Sequence, residues 1–274
     1  MALLPVSALS WAAEEPDDCK AASADCVAVG HWNFSVSLGA GVRTNPVAYG
    51  DNIPLVVIPQ FSYYGKRFFI DDLDLGFTLA ESDTNTFNLV ASPGYDRVYF
   101  YRADIQNIFV NGFPTTDDFT ALTGSQNPST PAEKFPSRTR RITYLAGPEW
   151  TFKYGGVTGQ LDFLHEITDQ NQGNEIRAAI GMPLTERRGI LSANVGFTWN
   201  SSAIVNYYYG ASNVYQGGSA LDPFVKLGYT LPLSRKWRFK AFAEYEHLAG
   251  AIASSPIVAE HHVATVFVGA AYTF

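Results

Sequence analysis

Four charges share one face of residues 237–247: Arg238, Lys240, Glu244 and Glu246. Trp237, Phe239, Ala241, Ala243 and Tyr245 share the other. Ionised groups at this spacing on an extended segment can neutralise one another in a wall, or line a constriction that sorts small solutes by charge. Lys226, Asp72 and Asp74 belong to two further alternating segments, and they complete the candidate charge cluster. Nucleophilic chemistry has one other place to arise. Ser254 and Ser255 stand near His247, Glu260, His261 and His262, the residue types of a Ser/His/acid arrangement. The run Ser254-Ser255-Pro256 lacks the glycine-framed elbow that would present a serine nucleophile. The adjacent His261 and His262 would point to opposite faces of a strand, which disfavours a shared metal. Tyr207, Tyr208 and Tyr209 could stack on a ligand, although such tyrosines more often form an interfacial girdle. No phosphate-binding glycine loop or paired catalytic carboxylates stand out, so the chain reads as non-enzymatic, with no cofactor.

The elements that must position these groups are strands. Trp32, Phe34, Val36, Leu38, Ala40 and Val42 alternate with Asn33, Ser35, Ser37, Gly39 and Gly41, apolar on one face and small or polar on the other. The same period recurs at 53–64, 67–80, 86–92, 139–154, 157–168, 175–184, 190–200, 220–232, 237–247 and in the last dozen residues, with a weaker segment at 97–104. Charges on a lipid-facing strand surface cost about 2–4 kcal/mol each for Arg or Lys near the midplane, so the charged faces belong inside. The chain ends on such a strand: Val266, Val268, Tyr272 and Phe274 lie on one apolar face. A water-soluble protein seldom leaves an apolar strand at its edge. A transmembrane barrel covers that face with lipid and pairs both edges.

The expectation is an all-β protein, a transmembrane antiparallel up-and-down β-barrel. Short connections at Gly65-Lys66, Pro93-Gly94, Gly155-Gly156, 185–189 and 233–236 alternate with longer ones at 43–52, 81–85, 105–138, 169–174, 201–219 and 248–262. This is the asymmetry of short periplasmic turns and long extracellular loops. Eleven strong strands plus 97–104 give twelve, an even number that brings both ends to one side; ten and fourteen are the alternatives. The small inward residues of 32–42 predict a crowded interior at that wall.

Composition agrees. Charged residues are 16 % of the chain, below the roughly 25 % of soluble domains, and aromatics are 14 %. No run approaches the roughly 18 apolar residues of a transmembrane helix. A net charge of −7 disfavours nucleic acid as a partner. Residues 1–13 read as the remnant of an export signal, 14–30 as a periplasmic linker and 31–274 as the barrel. Cys19 and Cys26, with six residues between them and no Cys or His pair nearby, read as a small disulfide loop in an oxidising compartment.

An ordered set of short matches resembles the MipA/OmpV family. It comprises Trp32-x-F-S-V-x-L-G-A-Gly41, Pro46-x-x-Tyr49-G-Asp51, Ile58-Pro59, Phe61-x-Tyr63, Phe68-Phe69 and Leu75-Gly76. It continues with Tyr208-Tyr209-Gly210, Leu227-G-Tyr229, Leu248-A-Gly250, Ser255-Pro256-Ile257-Val258 and the closing Gly269-A-A-Y-T-Phe274. The resemblance spans about 31–95 and 140–274. It implies an outer-membrane barrel of Gram-negative bacteria, with outer-membrane lipid and the barrel assembly machinery as partners, the latter reading the Phe274 end. It further implies a scaffold that holds a murein lytic transglycosylase near a peptidoglycan synthase. A small-solute channel and a surface adhesin using 105–138 and 201–219 are the alternatives.

Overall fold

The computed structural model describes residues 29–100, 140–185 and 188–274. The expected export signal, nearly all of the linker with Cys19 and Cys26, and the segment 105–138 lie outside the described residues. Twelve strands form: β1 (Trp32–Arg43), β2 (Ile53–Tyr64), β3 (Phe68–Asp71), β4 (Asp74–Glu81), β5 (Asn85–Pro93), β6 (Tyr144–Tyr154), β7 (Val157–Glu166), β8 (Asn174–Thr185), β9 (Ile190–Asn200), β10 (Ala220–Pro232), β11 (Trp237–His247) and β12 (His262–Thr273). Each pairs antiparallel with its neighbours in sequence, and β12 returns to β1, giving a closed barrel. The seam runs from Ser35 opposite Thr273 to Arg43 opposite Thr265. The Phe274 N–H extends it by donating to the Phe34 carbonyl at 3.0 Å. Closure leaves no sheet edge at this seam, as a lipid environment requires.

The alternation sorts as expected. Trp32, Phe34 and Leu38 on β1, Ile180, Met182 and Leu184 on β8, and Val266 and Val268 on β12 are exposed on the outside. The interior faces hold the polar residues and two apolar clusters; in the one at the seam, Ile53, Leu55 and Ile58 of β2 meet Phe267 and Ala271 of β12, with Phe242 of β11 against them. Phe242 and Phe267 stack at 5.8 Å. Glycines on the β1–β12 wall make room for these rings: a Cβ on Gly39 would meet the Val268 carbonyl oxygen at 2.2 Å and Phe267 Cζ at 2.6 Å. The interior is therefore crowded at this wall because β1 gives up its side chains there.

The count of twelve arises by another route than the one the alternation suggested. Of the predicted strand 97–104, the described part is not extended: Tyr95–Tyr99 is a turn of 3-10 helix, called here the inner turn, and 101–104 lie outside the described residues. The missing strand comes from 67–80, which folds back on itself as β3 and β4, with Ile70 opposite Leu75 and Asp71 opposite Asp74. Asp72 makes the reversal. It adopts φ 49°, a left-handed conformation that Asp tolerates better than most residues. Its carboxylate accepts the Phe61 N–H at 2.8 Å, and its own N–H donates to the Phe61 carbonyl at 2.8 Å. This second hairpin moves two connections to the opposite end. Residues 82–84 join the short turns, and Pro93-Gly94 lies at the loop end. It also leaves β2 longer than its neighbour: the β2–β3 ladder stops at Ser62, and Ile53–Pro59 pair only with β1 among the described residues.

The start of β1, the end of β12 and the short turns occupy one end, which the asymmetry of outer-membrane barrels assigns to the periplasm. Packing at the seam yields a test. Gly39→Val should destabilise the barrel by about 1–3 kcal/mol through overpacking, seen as a lower thermal midpoint of heat-modifiable mobility. Gly218→Val, with nothing within 4 Å of the added Cβ, should leave that midpoint unchanged.

Candidate functional site

Many of the barrel's buried polar residues lie in the lumen near the loop end, under a plug built by three connections. The inner turn follows β5. Helix α1 (Ser202–Tyr209) follows β9, and helix α2 (Gly250–Ala253) follows β11. Val98, Ile204, Val205, Tyr208, Tyr209, Leu248 and Ile252 form its apolar core. The tyrosines are thus not the interfacial girdle that their composition suggested. Tyr208 is 1 % and Tyr209 0 % exposed, facing protein rather than lipid. Their polar ends are used in the plug. The Tyr208 hydroxyl lies 2.9 Å from Thr143 Oγ1, and Tyr209 donates to Asp96 at 2.9 Å. Arg140 donates to the Tyr208 carbonyl at 2.7 Å and lies 3.9 Å over the Phe100 ring. Ser255 donates its hydroxyl to the Tyr209 carbonyl at 2.6 Å and is 2 % exposed, which commits it to the plug and not to nucleophilic chemistry.

Beneath the plug lies a chamber of about 140 Å³. Among the described residues seven carboxyl groups line it (Asp74, Asp96, Asp162, Glu175, Asp222, Glu244 and Glu246), against two guanidinium groups, Arg43 and Arg177. Asp96 comes from the inner turn, and alternation places the others: the strand residues are the inward partners of outward-facing neighbours. Arg177 is the principal counter-charge. It pairs with Glu175, donates to Ser92 Oγ at 2.8 Å and to the Pro93 carbonyl at 3.4 Å, and lies 5.3 Å from the Tyr95 ring. Arg43 donates to Thr265 Oγ1 at 3.2 Å across the seam. Gln160 joins Asp162 at 2.9 Å to Glu149 at 3.1 Å, and Asn88 donates to Glu149 at 2.6 Å.

The residues singled out from sequence divide. Glu244 and Glu246 line the chamber, and so does Asp74, whose carboxylate accepts from Tyr95 at 3.4 Å. Lys226 is buried and pairs with Glu244 at 3.7 Å, and Lys240 is buried farther down the same wall. Arg238 is exposed at the periplasmic end, and Asp72 is the turn residue of the β3–β4 hairpin. Val266, Val268, Tyr272 and Phe274 lie on the outer face of the seam. His247 and His262 are opposed across β11 and β12, with His262 stacked on Tyr245 at 5.5 Å. Among the described residues no three His, Cys, Asp or Glu are placed to hold a metal ion. Sequence reasoning missed Arg177, Glu175, Asp162, Asp222 and Asp96. The first four sit on the polar phase of segments whose apolar phase was read; Asp96 lies where a strand was expected.

The family model for "MltA-interacting protein MipA" matches residues 38–274. The chain belongs to the MipA family. A relative named for the outer membrane, YiaT of Escherichia coli O157:H7, is 26 % identical over 250 residues, covering 87 % of this chain and 91 % of YiaT. The MltA-interacting protein of Escherichia coli (strain K12) is 22 % identical over 258 residues, covering 90 % of this chain and 93 % of that protein. An outer membrane channel from Pseudomonas putida F1 aligns in structure with a TM-score of 0.43 and 10 % identity, over 94 % of this chain and all of that one. This MipA-family barrel resides in the outer membrane.

Two outcomes follow from the site. Replacing Arg177 with Met should destabilise the barrel by about 3 kcal/mol, because it strips a buried carboxylate of its counter-charge; an unchanged unfolding midpoint in detergent would contradict this. Burial, then the charge of Glu175, raises Asp96 from 3.8 to about 7. A carboxyl raised on folding holds its proton more tightly in the folded chain, so its contribution is complete at acid pH and is lost as pH rises through about 7. Asp96→Asn should therefore flatten part of the fall in thermal midpoint between pH 4 and 7.

Proposed function

We propose that this MipA-family protein is a non-enzymatic outer-membrane scaffold whose working surface is its periplasmic rim, where it engages peptidoglycan-remodelling enzymes. One observation carries the reading. Lys66, Arg67, Lys153, Arg188, Arg235, Lys236 and Arg238 are exposed at the periplasmic end, against Glu81 and Asp83. The chain as a whole has a net charge of −7, so this basic ring is a local inversion of the protein's field. Lys236 shows how the ring is set beside the aromatic belt: its ammonium lies 5.5 Å from the Tyr272 ring. Glu186 and Arg187 of the short 185–189 connection lie outside the described residues. The buried plug supports a scaffold over a channel, because the loop end of the lumen is filled by the chain's own apolar core. The name of the 22 % identical relative supports a lytic transglycosylase as one partner.

Opposite charge across an interface steers association and makes it sensitive to salt. Purified barrel in zwitterionic nanodiscs should capture a murein lytic transglycosylase from solubilised envelopes at low ionic strength. Charge reversal at Lys66, Arg67, Arg235 and Lys236 together should lower recovery at least tenfold while heat-modifiable mobility is kept. Undiminished capture by that variant would count against the rim. In planar bilayers the protein should be electrically silent; steady conductance that changes with Glu244→Gln would instead favour a solute channel.

A further inference from the structure

We propose that the chamber under the plug is a binding site for a small organic cation carrying several N–H donors, of the aliphatic diamine or alkylguanidine class. This goes beyond the scaffold reading and does not depend on it. The balance of acceptors and donors is the first ground: among the described residues the lining holds seven carboxyl groups and two guanidinium groups, with Lys226 paired to Glu244 from beside it. One guanidinium, Arg177, has its donors directed at Glu175, Ser92 and Pro93 on the wall. Arg43 has its Nε turned to Thr265. The wall groups that remain are mostly acceptors.

The second ground is independent of charge. Asn200 lines the chamber and is 4 % exposed, and its Oδ1 is buried without a hydrogen-bond partner. The Gln160 amide is used on one side only: its nitrogen donates to Asp162 and Glu149, while Oε1 is buried and unpartnered in the same lining. A buried acceptor left without a donor is destabilising. Two such oxygens on the walls of one acidic chamber therefore call for a donor-rich guest. A metal ion does not fit that requirement: among the described residues no three suitable ligands converge on a point. The acceptors are spread instead over β7, β9, β10 and β11, which an extended cation with a donor at each end can span. A volume near 140 Å³ admits a short amine or guanidine and not a large solute.

The arrangement on the walls already shows the chemistry in use. Arg177 is a guanidinium held by a carboxylate, a hydroxyl and a backbone carbonyl, with an aromatic ring beside it. Asp222, Asp96 and Glu246 border the same space, and Asp222 receives one N–H, from Ala249 at 2.6 Å. A guest ammonium near Asp222 and Glu246, with its other end at Asn200 and Asp162, would meet acceptors of the kinds that hold Arg177.

The test is calorimetric titration of the full-length protein in zwitterionic nanodiscs with 1,4-diaminobutane, with glutarate and magnesium chloride as separate titrants. The diamine should bind and raise the thermal midpoint, and glutarate should not. Glu246→Gln and Asp162→Asn should each weaken diamine binding about tenfold or more, the loss of one charge-assisted contact. Asn200→Asp preserves shape and adds an acceptor charge, so it should bind the diamine more tightly. It keeps the test open if a neutralised variant fails to show heat-modifiable mobility. Absence of diamine binding, equal binding by the neutralised variants, unchanged or weaker binding by Asn200→Asp, or displacement of the diamine by stoichiometric magnesium would each overturn the assignment.

Discussion

Backbone hydrogen bonding in lipid is the constraint on which everything else in this molecule rests. With no water in the hydrocarbon layer, each strand must find partners on both sides within the protein. The β1–β12 seam meets that demand, and once the ring is shut every strand has one face to lipid and one to the lumen. The polar residues then have only one place to go. Arg177, Glu175, Asp162 and Glu246 are together because each is the wrong residue for the outside, and the ring turns those separate exclusions into a single interior.

Most of the architecture was legible in the chain. The period of two placed the strands, and the apolar close at Phe274 identified the solvent. The hairpin of β3 and β4 also left a trace that a continuous strand at 67–80 overlooks. Phe68 and Ile70 face outward at even positions, whereas Leu75, Phe77 and Leu79 do so at odd ones. A strand cannot change parity without a turn or bulge, and Asp71, Asp72 and Asp74 mark where it happens. Twelve was reached from sequence by adding a strand in the wrong place.

The site was less legible, for a physical reason. A tyrosine at a membrane interface and a tyrosine buried under its own loops look alike in composition, since both pair an apolar ring with a satisfied hydroxyl. Only the fold shows that Tyr208 and Tyr209 turn inward to Thr143 and Asp96. Charges on β11 were visible because four stood on one strand. Arg177, Asp162 and Asp222 are dispersed over three strands, and only closure brings them to one chamber.

The unequal lengths of β2 and β3 bear on mechanics. Around the periplasmic half the wall is a complete hoop. Toward the loop end it is a split ring among the described residues, because Ile53–Pro59 have a neighbour on one side only. Pro54 and Pro59, which have no N–H to offer, stand in that stretch. A split ring resists radial strain less than a whole one, so thermal breathing of the tube is expected to be lopsided. The compliant sector is the flank of β2, while the periplasmic rim keeps its circumference.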